Sequence, residues 1–397
     1  MLLRIHYNFD LKGGAEYDIL KLLSVFERSD LKNYLLLLNE ENGKIKSMLY
    51  GHDLEPKTFS RDLLDGFLND LIESLKIDII HAHSLPSIFI LKSILDLRLP
   101  IFRSMHEAMI VCPGWSKYWL KEDSPCKVSY GYKCLFNAYI KKCTRSRKPS
   151  NLIYEFNRVK FELEVAVPKY KGVLVYSNYM KMQAIQSGIP ESKIFKIPSP
   201  QFDNFPDLRK KKVNKENISI IFVGRLSRQK GVSYLIKAGK LLIERGIKNF
   251  KIEICGNGPE SDRVKNLVQV YKMNEFVNFH GWLSRSSLQN IYQQADISVI
   301  PSTYPDNFPN AVAESMLAGL TVVAFDSGGT CEWFDDGKSG IKICSKNEVT
   351  LCKELESLIK APSRIKQIGE NARNKIKSEH SINKTYTAYQ NLYNNCR

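Results

Sequence analysis

The chain has 397 residues, of which 43% are hydrophobic and 25% are charged, and its formal net charge at pH 7 is +16. The length predicts two domains, and the composition is that of a globular protein. No apolar run approaches the roughly 18 to 20 residues that a membrane-spanning helix needs, which excludes a chain built on such helices.

The positive charge predicts an anionic partner: nucleic acid, an anionic membrane face or a phosphorylated ligand. The N-terminus lacks the pattern of a signal peptide, because Arg4 and His6 interrupt its apolar residues. We therefore expect a cytoplasmic protein.

The first half alternates between strand and helix patterns. Residues 2–7 read as a buried strand, and Gly13 and Gly14 then open an amphipathic helix. Further strands are expected at 34–38, 77–82, 101–105 and 172–176. This alternation predicts a parallel, doubly wound sheet. His81 and His83 fall on one face of a strand end, where we expect them to line a ligand site.

The alternation stops in an insert at residues 107–150, which is rich in aromatic and basic residues. Such a segment fits an acceptor site or a membrane surface. It equally fits a small aromatic core with a solvated basic edge.

The insert also contains Cys112, Cys126, Cys134 and Cys143, separated by 13, 7 and 8 residues. These spacings differ from the close cysteine pairs of common zinc sites. Ordinary thiols are the first expectation, and a zinc site or disulfides remain open.

A polar, basic run at 206–217 reads as a linker between a domain at 1–205 and a second one at 218–380. The second domain repeats the pattern, with strands expected at 218–223, 251–255, 277–280, 297–300 and 321–325. A last helix at 381–397 is expected to pack back on the first domain. Two doubly wound domains predict a ligand-binding cleft between them.

The segment at 300–329 predicts a strand, a loop, a short helix at about 309–318 and another strand. Pro309 suits the first helical position and Gly319 the end. Glu314 is the only charge in this helix, so it needs a partner: a backbone N–H, an arginine or the hydroxyls of a ligand. Together with Asp306 and the helix-terminal N–H groups of Asn310 and Ala311, it predicts a cradle for a phosphate-bearing ligand.

The loop after strand 218–223 contains Gly224, Arg225 and Lys230, and two cations there are able to hold a diphosphate without a metal ion. Other loop residues expected at this sheet edge are Gly258, Trp282 and Leu283.

The ordered motifs Gly-Gly-Ala-Glu, Gly-Arg-Leu…Lys-Gly, Gly-Asn-Gly-Pro, Phe-His-Gly, acidic-x7-Glu and Ser-Gly-Gly resemble those of glycosyltransferase family 4. Members of that family are retaining enzymes of the GT-B fold. The resemblance implies two doubly wound Rossmann-like domains facing each other across a cleft, with the acceptor on the first and the nucleotide sugar on the second.

The resemblance also implies roles for individual residues. Arg225 and Lys230 match the pair that binds the diphosphate, Glu314 matches the glutamate that binds the ribose, and His106 matches the histidine facing the reacting carbon. The catalytic residues would be His106, Arg225, Lys230 and Asp306. The donor-binding residues would be Gly14, Gly224, Arg225, Lys230, Gly258, Trp282, Leu283, Asn307, Phe308, Asn310 and Glu314. Asp306 departs from the family by being one methylene shorter than its glutamate.

The implied reaction is metal-independent, retaining transfer of a hexose from a UDP- or GDP-type sugar to a glycan or lipid-linked acceptor, as in polysaccharide biosynthesis. No cofactor and no divalent ion are expected. The protein would be cytoplasmic and peripheral on the inner face of a membrane. Alternatives are a nucleotide-sugar epimerase or phosphorylase of the same fold, a silent sugar-nucleotide binder, and a nucleic-acid-binding protein. The two α/β halves argue against the last of these.

Overall fold

The computed structural model of the chain describes residues 1–10, 13–27, 31–144, 146, 148–199 and 217–394. The chain divides into two compact units, one formed by Met1–Gln201 with Ile382–Arg397 and the other by Phe202–Ser381. The predicted linker at 206–217 lies outside the described residues, apart from Asn217.

The first unit is built on a mainly parallel sheet. Its strands are β1 (Leu2–His6), β2 (Asn33–Glu41), β3 (Lys44–Leu49), β4 (Lys57–Ser60), β5 (Ile79–Ala82), β6 (Ile101–Ser104), β7 (Tyr118–Trp119), β8 (Ser124–Pro125), β9 (Gly172–Val175) and β10 (Ile194–Lys196). All but β7 and β8 form one sheet in the order β10-β9-β6-β5-β1-β2-β3-β4. The six strands from β10 to β2 run parallel, and β3 and β4 add an antiparallel extension.

Helices cover this sheet and form part of the insert. They are α1 (Gly14–Phe26), α2 (Leu64–Leu75), α3 (Ile88–Asp96), α4 (Lys133–Ile140), α5 (Pro149–Phe161), α6 (Val167–Lys169) and α7 (Asn178–Gln186). In the insert, β7 and β8 pair as a two-stranded ribbon ahead of α4. The α/β alternation is therefore interrupted in the region that the sequence indicates.

The second unit contains a fully parallel sheet. Its strands are β11 (Ile218–Val223), β12 (Phe250–Cys255), β13 (Val277–Gly281), β14 (Ile297–Ile300), β15 (Thr321–Phe325) and β16 (Ile341–Ile343). Its helices are α8 (Val232–Glu244), α9 (Ser261–Val270), α10 (Arg285–Gln294), α11 (Asn310–Leu317), α12 (Glu348–Ile359) and α13 (Pro362–Glu379). The strand order is β13-β12-β11-β14-β15-β16. The predicted fold class, with two Rossmann-like α/β units, is confirmed.

Burial explains why these strands were predictable. Every residue of β1, β14 and β15 is buried, because helices cover both faces of a parallel sheet. Such strands read as continuous apolar runs. The antiparallel β3 and β4 were missed because most of their residues are polar and partly exposed.

The last helix, α14 (Ile382–Asn394), is part of the first unit. Tyr389 and Tyr393 are buried and face Phe26 of α1, with ring centroids 6.2 and 6.3 Å away. Tyr393 also lies edge-on against Phe102 of β6, at 5.2 Å. These aromatic contacts join the end of the chain to its first α/β segment.

Candidate active site

The centre of the second unit brings two loops together. Strand β11 pairs with β14 in parallel, so the loops that follow these strands emerge side by side at the carboxyl edge of the sheet. The N–H of Thr303 donates to the carbonyl of Gln229 at 2.9 Å. Gly231 has φ +71°, and a Cβ there would overlap the carbonyl oxygen of Pro301. Only glycine allows this approach, which is the reason for its place in the loop.

These loops bring Lys230 and Asp306 into direct contact. The Nζ atom of Lys230 lies 2.7 Å from both Oδ1 and Oδ2 of Asp306. The Ser302 hydroxyl donates to Oδ2 of Asp306 at 3.2 Å. The lysine side chain is 33% exposed and the aspartate 15% exposed. The cation is therefore ordered by protein contacts and remains accessible to solvent.

The loop after β15 is hydrogen-bonded to the backbone of the loop that carries Asp306. The Ser327 hydroxyl contacts the carbonyls of Thr303 and Tyr304, both at 2.9 Å. The N–H of Gly329 donates to the carbonyl of Asp306 at 2.7 Å. The Ser-Gly-Gly motif thus fixes the backbone of the loop that carries Asp306, a role that the motif alone does not predict.

Helix α11 follows the Asp306 loop and carries Glu314. It begins at Asn310, one position later than predicted, and Pro309 is its N-cap residue instead of its first helical residue. Its buried residues Val312, Ala313 and Met316 pack in the core, which fixes the rotation of the helix.

The carboxylate of Glu314 has a tyrosine neighbour. The Tyr292 hydroxyl donates to Oε2 of Glu314 at 3.4 Å. Burial, followed by the charge of Glu314, raises the pKa of Tyr292 well above its ordinary value. Tyr292 therefore stays a neutral donor to Glu314. The predicted need of this acidic residue for a partner is met in part by a tyrosine, which was not among the partners considered.

Glycines bring the next loops into contact with the β11 loop. A Cβ at Gly256 would overlap the carbonyl oxygen of Gly224, and a Cβ at Gly258 would overlap that of Leu226. The N–H of Gly256 also donates to the carbonyl of Gly281 at 2.7 Å. The loops after β11, β12 and β13 therefore form one backbone-packed layer, beside which Arg225 is exposed.

The other predicted donor-binding residues of this unit differ in their exposure and packing. Trp282 is 72% exposed, whereas Leu283 packs on a small apolar cluster. Asn307 is buried. The ring of Phe308 stacks on Trp333 with centroids 3.6 Å apart, so this side chain is held by the core.

In the first unit, the predicted glycine loop is organised by Glu16. Its Oε1 atom lies 3.2 Å from His6 Nε2 and accepts from the Asn8 amide at 2.7 Å. Gly13 is the N-cap of α1, and a Cβ there would overlap Oε2 of Glu16. Gly13 thus makes room for the carboxylate, while Gly14 begins the helix.

Burial alone would raise the pKa of Glu16, but the hydrogen bonds from His6 and Asn8 outweigh it and lower that pKa to about 2. The carboxylate is therefore charged at neutral pH.

His106 belongs to a row of histidines at the carboxyl ends of β5 and β6. Its Nε2 lies 2.9 Å from Nδ1 of His83, and the ring of His83 stacks on that of His81 at 4.3 Å. Burial, with nearby His6 as the next cause, lowers the pKa of His106 to about 3. His106 is therefore a neutral imidazole at physiological pH.

This row continues into the end of the chain. His81 Nδ1 lies 2.6 Å from the Tyr393 hydroxyl of α14 and its Nε2 lies 2.8 Å from the Ser104 hydroxyl. Arg4 Nη1 is 3.0 Å from His81 Nδ1. Burial first, and then the charge of Arg4, lower the pKa of His81. His81 and His83 thus support His106 within the first unit.

The second unit resembles a known protein family. Residues 204–375 match the family model of group 1 glycosyl transferases. The matched region includes Lys230, Asp306 and Glu314. The match lies entirely within the second unit.

Curated relatives carry similar descriptions. An uncharacterized glycosyltransferase of Methanocaldococcus jannaschii is 30% identical over 181 residues, 46% of this chain and 46% of that protein. The alpha-D-kanosaminyltransferase of Streptomyces kanamyceticus is 24% identical over 217 residues, 52% of this chain and 56% of that protein. The chain thus spans about half the length of these two relatives.

Solved structures resemble the whole chain. A glycosyltransferase from Rickettsia africae ESF-5 superimposes with a TM-score of 0.74 at 15% identity, covering 100% of this chain and 98% of the other. Anabaena HepE in complex with UDP and glucose gives a TM-score of 0.69 at 16% identity, covering 99% of each chain. These likenesses confirm the predicted GT-B type of fold. No helix among the described residues is both long and apolar enough to cross a membrane.

Proposed function

We propose that this chain is a retaining glycosyltransferase of family 4 that transfers a hexose from a nucleotide diphosphate sugar to a glycan or lipid-linked acceptor. The observation that carries this proposal is the ordered cation Lys230 beside Asp306, whose loop leads into the helix that carries Glu314. The match of residues 204–375 to group 1 glycosyl transferases supports it.

Lys230 and Arg225 would bind the donor diphosphate. Both stand in the loop between β11 and α8, and charge-assisted hydrogen bonds of this kind each contribute on the order of 1.5 to 3 kcal/mol. Two cations replace the divalent ion that a diphosphate otherwise needs, so we propose transfer without a metal ion. Binding would require the diphosphate to compete with Asp306 for Lys230.

Glu314 would accept hydrogen bonds from the ribose hydroxyls of the nucleotide. Its helix is fixed by its buried face, and the neutral Tyr292 already donates to one of its oxygens. A carboxylate is a suitable acceptor for the two hydroxyls of a vicinal diol. The backbone-packed loops of Gly224 and Gly258 would lie along the nucleotide, and a UDP- or GDP-type donor fits the proposal.

In the reaction, the bond between the anomeric carbon and the phosphate oxygen breaks while a bond to the acceptor oxygen forms on the same face. The acceptor hydroxyl would give its proton to the departing phosphate oxygen, and Arg225 and Lys230 would stabilise the charge that develops there. His106, with a pKa of about 3, would contribute as a neutral hydrogen-bonding group.

An anionic membrane surface is the proposed location of a lipid-linked acceptor. The insert exposes Tyr132, Phe136 and Ile140 at 77, 69 and 58%. Lys133 and Lys141 stand near these residues at the two ends of α4. Aromatic and basic side chains together suit the interface of an anionic bilayer. Sedimentation with anionic vesicles at low salt tests this, and failure of the wild-type chain to sediment would reject the membrane part alone.

The decisive experiment measures sugar transfer and donor binding. UDP- and GDP-sugars are first screened for thermal stabilisation, because a ligand at 100 times its dissociation constant stabilises by about 2.7 kcal/mol. The stabilising donor is then assayed for nucleotide release with Lys230→Ala and Glu314→Gln, which we expect to lower kcat/KM by at least about 100-fold.

Lys237→Ala is the matched control, because Lys237 pairs with Glu348 on another part of the same unit. It should leave kcat/KM unchanged. Wild-type activity in Lys230→Ala would contradict the proposal, and interconversion of the donor sugar with no acceptor present would favour an epimerase.

A further inference from the structure

The four cysteines of the insert meet at one place although they are far apart in sequence. Cys112, Cys126, Cys134 and Cys143 all line a cavity of about 20 Å³. Cys112 follows a short helical turn, Cys126 follows β8, Cys134 lies in α4 and Cys143 lies just after α4. Four separate segments therefore each contribute a thiol to one small space, which holds about one atom the size of a water molecule.

The backbone turn that follows Cys112 has an unusual conformation and packs closely against the segment of Cys143. Trp115 and Lys117 both have positive φ, at 66° and 49°, which is a costly conformation for residues other than glycine. A Cβ at Gly114 would overlap the carbonyl oxygen of Cys143. The turn after Cys112 is thus pressed against the segment of Cys143.

Backbone N–H groups approach the sulfur atoms of Cys112 and Cys134. Burial raises the pKa of the Cys112 thiol, whereas backbone hydrogen bonds from Lys117 and Gly114 oppose that rise. A backbone hydrogen bond from Gly131 acts in the same way on Cys134. Backbone donors directed at sulfur stabilise thiolates, which are the form that binds metal ions.

The thiols also oppose one another's ionisation. Burial raises the pKa of Cys143 to about 12, and Cys112, Cys126 and Cys134 are the next causes. The four thiols are therefore near enough to act on one another electrostatically.

Beyond Tyr118 the insert has little apolar core to hold it together. Strands β7 and β8 have two residues each, and Ala138 is the one buried residue of α4. Phe136, Tyr139 and Ile140 of α4 are exposed instead. Small modules that bury so little apolar surface commonly depend on a metal ion or disulfides.

We propose that Cys112, Cys126, Cys134 and Cys143 bind one Zn²⁺ ion that cross-links the insert. Four thiolates in a tetrahedron are a common structural zinc site, with Zn–S distances of about 2.3 Å. Binding forms four Zn–S bonds and releases the four thiol protons to solvent. Lys117, which lowers the pKa of Cys112 and of Cys134 by its charge, would offset part of the negative charge of the site.

Closure of this site requires movement of the thiols. Among the residues that the structure describes, no three His, Cys, Asp or Glu side chains are already gathered as metal ligands. The cysteines are also free of disulfides there. Zinc binding would therefore draw the four sulfurs inward, and the insert should be more resistant to proteolysis with the ion than without it.

The test measures the metal content of the whole purified chain under reducing conditions, by mass spectrometry of the metals. We expect about one zinc per chain, reduced to less than a fifth by Cys126→Ser or by Cys134→Ser. Cys344→Ser is the matched control, since Cys344 is an exposed thiol of the second unit, and it should retain the zinc. Circular dichroism of each variant separates loss of zinc from loss of folding.

A second measurement does not depend on the variants. Exchange of the wild-type ion for Co²⁺ should give the visible absorption of a tetrahedral thiolate complex, and a chelator should speed cleavage within the insert. Absence of zinc from the folded wild-type chain, iron in its place, or disulfides among these cysteines would each overturn the proposal. None of these outcomes bears on sugar transfer, which has its own assay.

Discussion

Lys230 and Asp306 form a two-point ion pair in the second unit, with Nζ of the lysine 2.7 Å from each carboxyl oxygen. The residues are 76 positions apart and stand on the loops that follow two paired strands. Each neutralises the other before any ligand binds. The proposed diphosphate would therefore find its cation already positioned, and it would have to displace or share the carboxylate.

Asp306→Asn should separate diphosphate binding from transfer. The substitution removes the competing negative charge, so we expect the affinity for UDP or GDP to stay the same or to rise up to about tenfold, or 1.4 kcal/mol. We expect the rate of sugar transfer to fall by at least about tenfold, since Asp306 would contact the sugar. Calorimetry and initial rates measure the two effects.

Asp326→Asn is the control for that experiment, because Asp326 pairs with Lys342 at 4.0 Å on the surface of the same unit. It should change neither quantity. A parallel loss of nucleotide affinity and transfer in Asp306→Asn would mean that the ion pair only holds the loops.

Gly258→Ala should disturb the nucleotide loops. The new methyl group would overlap the backbone of Leu226, so at least one loop must shift. We expect a loss of stability of about 1 to 3 kcal/mol and weaker nucleotide binding. Gly66→Ala is the counterpart, because Gly66 lies within α2 with open space around it. That change should stabilise the chain by up to about 1 kcal/mol, as measured by urea unfolding.

The charge of Glu16 should make stability depend on pH. Its pKa is lowered from 4.5 to about 2 in the folded state, so its contribution is complete well above pH 4.5 and disappears as the pH falls through 2. The difference in unfolding free energy between the wild type and Glu16→Gln should therefore shrink by about 2 kcal/mol from pH 7 to pH 3. A difference that stays constant over this range would contradict the pairing with His6 and Asn8.

His106 should remain neutral across the physiological range. Burial and the nearby His6 lower its pKa from 6.5 to about 3, so protonation favours the unfolded state and its folding penalty grows as pH falls from 6.5 towards 3. NMR of ring-labelled histidine should show no protonation of His106 between pH 8 and pH 5. Titration near pH 6.5 would show instead that the ring is open to water.

Much of the second unit was predictable because its strands are buried on both faces. The bounds of β11, β14 and β15 agree with the predicted strands at 218–223, 297–300 and 321–325. The loops that follow were therefore located correctly along the chain. The polar strands β3 and β4 were missed, because their pairing at the edge of the sheet leaves no continuous apolar run.

The sequence by itself determined the fold class and the candidate residues, because strand burial, glycine turns and ordered motifs are local properties of the chain. Tertiary structure decided which of these residues meet. Strand order places β11 next to β14 and so joins Lys230 to Asp306, and the return of α14 brings Tyr393 to His81. Tertiary structure also brings the four insert cysteines to one cavity. Contacts between distant residues depend on packing of the whole unit, and spacing along the chain does not encode them.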